Sequence, residues 1–175
     1  FISLTTSIKA DLNKNLMNQL EFGQKLIFIR HAYAPGSGDP SNFNLNDCST
    51  QRNLSEKGRK QAQKIGEFFK KNEIKIEKVF SSEWCRCKQT AEIAFEDYST
   101  KNFLNSFYSS KYAKNKNKQI KELNDYIQQF ESNHNLVLIT HYVVISEILN
   151  YAPSSGEIVV SDKNFNMIGS IEINY

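Results

Sequence analysis

The sequence predicts an α/β fold, a three-layer α/β/α sandwich with a mostly parallel central sheet. Two short apolar runs are the main observation, because each ends directly before a histidine: residues 26–30 precede His31, and residues 136–140 precede His141. Short continuous apolar runs are typical of parallel strands buried on both faces. Amphipathic stretches at helical spacing separate the strand candidates, and this alternation of strands and helices indicates a layered α/β domain.

The predicted strands follow one another along the chain with helical or turn-forming segments between them. They cover residues 25–30, 78–81, 136–140, 157–160 and 166–173. A loop rich in Gly, Ser and Pro runs from the first strand to about residue 53. Residues 96–117 show little periodicity.

The predicted helices fill the intervals between these strands. Ser55 is a favourable N-cap for a helix to about residue 71, and Ala62, Ile65 and Phe69 lie on one face of it. Ser82 is expected to cap the next helix, which runs to about residue 95. The other predicted helices contain Leu12, Leu16 and Leu20, the apolar stripe Ile120, Leu123, Ile127 and Phe130, and residues 143–150.

The composition is that of one soluble globular domain, which we place at residues 11–175. The chain has 175 residues, of which 39% are hydrophobic and 23% charged, with a formal net charge of +3. The densest basic run, residues 111–118, predicts a solvated loop before a helix and no nucleic-acid site, since no stacking pattern accompanies it. No apolar stretch is long enough for a membrane span.

The amino terminus and the cysteines bear on the compartment. Residues 1–10 begin with Phe1 and run from apolar to small residues, which favours a signal-peptide remnant, with a disordered leader as the alternative. In an exported protein Cys48 would pair with Cys85 or Cys87, leaving one free thiol. We therefore expect a periplasmic or otherwise exported protein, or a cytoplasmic one with reduced cysteines if the leader is no signal peptide.

The two histidines and three arginines define the predicted site. Ligands of open α/β sheets gather at the carboxyl ends of the strands, so His31 and His141 are expected to face one crevice. Arg30 adjoins the first histidine, Arg86 lies in the first turns of a helix, and Arg52 ends the long loop. Guanidinium groups pair two phosphate oxygens at once, and a neutral imidazole can be phosphorylated. This combination predicts phosphoryl transfer.

Four motifs in register resemble those of the histidine phosphatase superfamily, whose fold is also called phosphoglycerate mutase-like. The motifs are Arg30–Ala32, Arg52–Gly58, Ser81–Ala91 and Thr140–His141. The resemblance implies that His31 is the phosphorylated nucleophile and that Arg30, Arg52, Arg86 and His141 bind the phosphoryl group. The long loop and the segment Trp84–Cys87 resemble an often exported bacterial branch.

The chain departs from the family pattern where a proton donor is expected. Ala32 replaces a usual glycine, residues 103–107 contain no carboxylate, and Tyr142 stands where one branch has an Asp. Candidate donors are Glu83 and Asp39, with Asp47 as a third. Each is a common residue type at surfaces, caps and turns.

The resemblance therefore implies a phosphatase that hydrolyses a phosphomonoester or phosphoramidate through phospho-His31, with no metal and no other cofactor. The alternative is a catalytically weak or inactive member that binds phosphorylated ligands or partners. A mutase is less favoured, since the acid-bearing segment is missing. The expected partner is a small phosphorylated substrate or a phosphoprotein.

Overall fold

The computed structural model describes residues 13–175, and their centre is a six-stranded mixed sheet. The predicted leader, residues 1–10, and Leu12 lie outside the described residues. The strands are β1 (Leu26–Arg30), β2 (Ile76–Ser81), β3 (Ser99–Thr100), β4 (Asn135–Thr140), β5 (Ile158–Ser161) and β6 (Met167–Ile171). Across the sheet their order is β3-β2-β4-β1-β5-β6.

The sheet is parallel at its centre and antiparallel at one edge. Strands β3, β2, β4 and β1 pair in parallel, whereas β5 and β6 run antiparallel to their neighbours. The mostly parallel sheet predicted from the sequence is thus confirmed. The sequence did not reveal β3, because a two-residue exposed strand leaves no periodicity to detect.

The helices flank this sheet. They are α1 (described over residues 13–22), α2 (Glu56–Lys71), α3 (Cys85–Phe95), α4 (Ser110–Ala113), α5 (Lys116–Gln129) and α6 (Tyr142–Leu149), with 3₁₀ turns at Cys48–Thr50 and Asn102–Leu104. Ser55 caps α2 as predicted, since its side chain accepts a hydrogen bond from the Gly58 amide. The predicted Ser82 cap is wrong: the N-cap of α3 is Trp84.

Two apolar cores lie on opposite faces of the sheet, which confirms the three-layer architecture. Alternate side chains of β1 point to opposite faces: Leu26 and Phe28 pack on one side, Ile27 and Ile29 on the other. Helices α5 and α6 contribute to the first core, and α1, α2 and α3 to the second. None of the helices within residues 13–175 combines the length and apolar character that a membrane crossing requires.

Candidate active site

The two strand-end histidines meet at the carboxyl ends of two neighbouring parallel strands. In the register of β1 and β4, Arg30 lies opposite Thr140, and the next residue of each strand is a histidine. The His31 amide continues the ladder by donating to the Thr140 carbonyl at 2.9 Å. The imidazole centroids of His31 and His141 are 5.5 Å apart, and both rings are buried. The predicted shared crevice is therefore present.

The hydrogen bonds of His31 select one neutral tautomer. Its Nδ1 lies 2.8 Å from the Ala32 carbonyl oxygen, which can only accept, so Nδ1 carries the proton. Its Nε2 accepts from the Arg86 Nε–H at 3.3 Å. The lone pair that a nucleophile needs is thus on Nε2, the ring atom that faces the guanidinium.

Arg86 joins the components of the site through three donors. Besides its bond to His31, Nη2 lies 3.4 Å from His141 Nδ1, and Nη1 donates to Asp39 Oδ1 at 2.7 Å. Only 3% of Arg86 is exposed. A tetrahedral oxyanion next to this guanidinium would meet a fixed, buried positive charge.

A chain of side-chain hydrogen bonds fixes the other histidine. Because the guanidinium only donates, His141 Nδ1 accepts, and Nε2–H donates to Ser82 Oγ at 2.9 Å. Ser82 in turn donates to Asn105 Oδ1 at 3.1 Å, and the Asn105 amide donates to Glu83 Oε2. Glu83 therefore ends a chain that orients His141, and its side chain does not line the cavity.

Both imidazoles are uncharged near neutral pH. Burial lowers the pKa of His31 and of His141 well below 6.5, and the nearby charge of Arg86 lowers both further. In the neutral state His31 keeps the Nε2 lone pair that a nucleophile needs, and His141 keeps the Nδ1 lone pair that accepts from Arg86.

The cavity above these groups has a volume of about 410 Å³. Its lining includes Arg30, Arg52, Arg86, His31, His141 and Asp39. Arg30 donates from Nη1 to the Pro153 carbonyl at 2.8 Å, and its buried Nε has no partner among the described residues. Arg52 donates to the carbonyls of Ala34 and Gly38. Three guanidinium groups thus surround one space, as the sequence predicted, while the assignment of phosphoryl binding to each of them stays a prediction.

Asp39 brings a negative charge into this cationic cavity. Its Oδ1 accepts from Arg86 and from the Arg52 amide at 3.1 Å, and its Oδ2 accepts from Trp84 Nε1–H at 3.1 Å. Burial alone would raise the pKa of this carboxyl, but Arg86 and the other donors hold the pKa below its ordinary value. Asp39 is therefore an ionised, paired carboxylate near neutral pH, which is a poor state for a proton donor.

A disulfide joins the long loop to the helix that carries Arg86. Cys48 pairs with Cys85, which settles the alternative left open by the sequence, and Cys87 is a buried free thiol. Gln51 Oε1 also accepts from the Cys85 amide at 2.9 Å. Burial raises the pKa of Cys87 to about 12, so it stays protonated although its Sγ lies 3.5 Å from His141 Nε2.

The remaining motif residues hold the loop after β1 in place. The Ala32 amide donates to Thr90 Oγ1 at 3.0 Å, and the Tyr33 amide donates to Gln61 Oε1 at 2.9 Å. A Cβ on Gly58 would lie 2.0 Å from the Tyr33 carbonyl oxygen, so only glycine allows α2 to pack against this loop.

Sequence reasoning missed several supporting residues of the site. Ser82, Asn105 and Thr90 act through hydrogen bonds to other site residues, and Tyr142 lies under the Arg30 guanidinium. For Ser82, Thr90 and Tyr142 the available signal was their position inside or beside the four motifs, whereas Asn105 lies outside all of them. Within residues 13–175 no group of three or more His, Cys, Asp or Glu side chains is placed to hold a metal ion.

Comparison with known proteins agrees with the motif resemblance in sequence and with the predicted fold in structure. The family model of the histidine phosphatase superfamily (branch 1) matches residues 26–106. A sequence search of curated proteins finds no match. Among solved structures, the protein histidine phosphatase SixA complexed with tungstate shares 15% identity at a TM-score of 0.56, covering 82% of this chain and 92% of its own.

Two further structures extend the likeness. The putative phosphohistidine phosphatase SixA from Agrobacterium tumefaciens is 17% identical at a TM-score of 0.59. Phosphoglycerate mutase from Thermus thermophilus is 14% identical at 0.58. Each alignment covers 86% of this chain and 99% of the other. These likenesses establish the shared fold, and the match of the family model over residues 26–106 supports the resemblance to the histidine phosphatase superfamily that the four motifs predicted.

Proposed function

We propose that this protein is a metal-independent phosphatase that hydrolyses a phosphomonoester or a phosphoramidate through a phosphohistidine on His31. The observation that carries the proposal is the state of His31: it is buried, neutral and hydrogen-bonded so that the Nε2 lone pair faces Arg86. The guanidinium groups of Arg30, Arg52 and Arg86 supply the positive charge that a transferring phosphoryl group needs.

The proposed reaction has two steps. His31 Nε2 attacks phosphorus, the N–P bond forms, and the bond from phosphorus to the leaving oxygen or nitrogen breaks. The Ala32 carbonyl, which accepts the Nδ1–H bond, stabilises the positive charge that develops on the ring. Water then attacks phosphorus, the N–P bond breaks, and inorganic phosphate leaves. The arginines hold the phosphoryl oxygens in both steps, and His141, whose Nδ1 accepts from Arg86 Nη2, positions that guanidinium.

The leaving group decides how much proton donation is needed. Among the described residues that line the cavity, Asp39 is the only carboxylic side chain, and it is ionised and paired with Arg86. A leaving group that departs without strong acid catalysis, such as the imidazole of phosphohistidine, therefore suits the site best. A small phosphorylated molecule and a phosphoprotein are both compatible substrates.

The described cavity lining contains no unpaired carboxylic side chain, and this favours a second candidate function, the binding of phosphorylated ligands without turnover. One experiment separates the two: a panel of phosphoesters and phosphohistidine, with and without chelator. The enzyme hypothesis expects turnover that survives chelation, disappears in His31→Ala and persists in His134→Ala, which removes an exposed histidine outside the cavity. Binding without any His31-dependent turnover supports the second candidate. Fast turnover of alkyl phosphates with none of phosphohistidine would contradict the preference stated above.

We further propose that the protein works in an oxidising compartment, as a periplasmic or otherwise exported enzyme. The Cys48–Cys85 pairing supports this, since structural disulfides persist mainly outside the reducing cytosol. Thiol labelling of protein from intact cells tests it: one reactive thiol after denaturation is expected, and three would contradict it.

A further inference from the structure

The outer part of the cavity differs in chemistry from the phosphoryl site beneath it. Aromatic rings wall it, and they are Phe43, Trp84, Tyr108, Tyr112 and Tyr142. Neither the family motifs nor the proposed chemistry requires these rings. We therefore consider them as contacts for the leaving group of the substrate.

One wall is a packed aromatic cluster. The rings of Phe43 and Trp84 stack with centroids 5.1 Å apart, and Tyr112 contacts them edge-on at 5.9 and 5.4 Å. Trp84 is held in turn by its hydrogen bond to Asp39. These contacts fix the wall before any ligand binds, so it offers a rigid apolar surface.

Two other tyrosines of the cavity lining are exposed to solvent. Tyr108 and Tyr142 are 59% and 36% exposed, and their ring centroids are 6.0 Å apart. Tyr142 follows His141 directly, and its ring centroid lies 5.3 Å from the guanidinium carbon of Arg30. A planar group held by these rings would thus lie next to the phosphoryl site. Exposed aromatic surface at a cavity is typical of a binding site.

Charge is concentrated at the inner end. The charged side chains of the described lining are Arg30, Arg52, Arg86, Asp39 and Lys111. The first four surround the histidines, which leaves Lys111 as the one cation of the outer part of that lining. Serine side chains, among them Ser37, Ser41 and Ser109, supply hydroxyl groups there. This lining suits a leaving group with a ring and hydrogen-bonding groups better than one with several charges.

We propose that the outer cavity binds an aromatic or heterocyclic ring of the leaving group, so that the substrates are small phosphorylated molecules carrying such a ring close to the atom bonded to phosphorus. The inference rests on the proposed phosphatase function. Tyr108 and Tyr142 contact the ring, and the packed Phe43–Trp84 cluster lines the same cavity. A cavity of about 410 Å³ has room for one such molecule.

The test compares two acyl phosphates, 3-phenylpropanoyl phosphate and butanoyl phosphate, whose leaving carboxylates are of the same kind and need no acid catalyst. We expect a higher kcat/KM for the acyl phosphate with the ring. Tyr108→Leu and Tyr142→Leu should each lower that preference by roughly 2- to 12-fold, the range of aromatic contacts. Tyr142→Phe should retain it. Phe22→Leu, the same loss of a ring at an exposed position outside the cavity, should change nothing.

Acetyl phosphate, which has no ring, separates this inference from the function on which it rests. If no substrate shows His31-dependent turnover, the phosphatase proposal fails. If acetyl phosphate is hydrolysed but the two longer acyl phosphates have equal kcat/KM, or the preference survives both leucine variants, the ring site is refuted. Faster turnover of a phosphoserine peptide than of 3-phenylpropanoyl phosphate also overturns it and indicates a phosphoprotein substrate.

Discussion

Asp39 is the residue whose substitution separates stability from ligand binding most clearly. Its carboxylate pairs with Arg86 and also accepts hydrogen bonds from the Arg52 amide and Trp84 Nε1. Asp39→Asn keeps the shape of the side chain but removes its charge. The amide oxygen can still face Arg86, and the amide nitrogen then faces the Trp84 N–H, where two donors meet.

The magnitudes follow from this geometry. Loss of charged hydrogen bonds of this kind costs about 1.5–3 kcal/mol, so we expect the free energy of unfolding to fall by about that amount. For an oxyanion bound on the His31 side of Arg86, across the guanidinium from Asp39, we take a charge separation of roughly 6 Å. At effective dielectric constants between about 80 and about 20, two unit charges at that distance repel by about 0.7–3 kcal/mol. Removing the carboxylate should therefore tighten oxyanion binding roughly 3- to 150-fold.

The assay pairs urea denaturation with titration calorimetry of tungstate, a tetrahedral oxyanion. Asp47→Asn is the matched control, because Asp47 lies in the same loop, is exposed and does not line the cavity. It should leave tungstate affinity unchanged within about twofold. Weaker tungstate binding by Asp39→Asn would refute the reasoning, because it would show that Asp39 orients Arg86 more than it competes with the ligand.

Three further predictions rest on the same contacts. Burial depresses the pKa of both His31 and His141 in the folded protein, so the unfolded chain binds more protons below about pH 6.5. The free energy of unfolding should therefore fall with decreasing pH by up to about 1.4 kcal/mol per pH unit for each ring. In His31→Ala the free energy of unfolding should depend less steeply on pH. Ser82→Ala leaves the buried His141 Nε2–H without its acceptor, so it should destabilise the fold by about 1–3 kcal/mol and lower kcat. The control is Ser81→Ala, because the Ser81 hydroxyl bonds only to a backbone carbonyl. This control should leave kcat within about twofold in the same assay. Replacing both Cys48 and Cys85 by serine should lower the free energy of unfolding by about 2–4 kcal/mol. It should also raise KM, because the loop that carries Asp39 and Arg52 loses its covalent connection to α3. An unchanged KM would show that the disulfide does not position the loop at the site.

Much of the fold could be predicted because the signals are local. The apolar runs before His31 and His141 identify two central strands, and parallel strands bring their carboxyl ends to one edge. Ser55 reveals its helix because a cap and an apolar face coincide. The prediction of Ser82 as the N-cap of α3 was wrong for a physical reason. Its hydroxyl accepts a hydrogen bond from the Trp84 amide, as in a turn, but its other hydrogen bonds go to His141 and Asn105.

The site could be predicted only as far as residue types allow. Arginines and histidines at strand and helix ends indicate a phosphate pocket, whereas the partner of Asp39 depends on a loop closure between residues 47 positions apart in sequence. The choice of Cys85 over Cys87 depends on which face of α3 meets the loop, and two cysteines two positions apart face different directions on a helix. The outer ring of aromatic residues comes from four separate segments and leaves no pattern in any of them.

The most direct test of the central claim is to trap the phosphoryl group on the protein. The protein is mixed with acetyl phosphate, quenched in alkaline denaturant within the first turnover, and digested for mass spectrometry. We predict a phosphorylated histidine in the peptide that contains His31, absent from His31→Ala and present in His134→Ala. Hydrolysis without any adduct on His31, or an adduct on His141 instead, would contradict the assignment of the nucleophile.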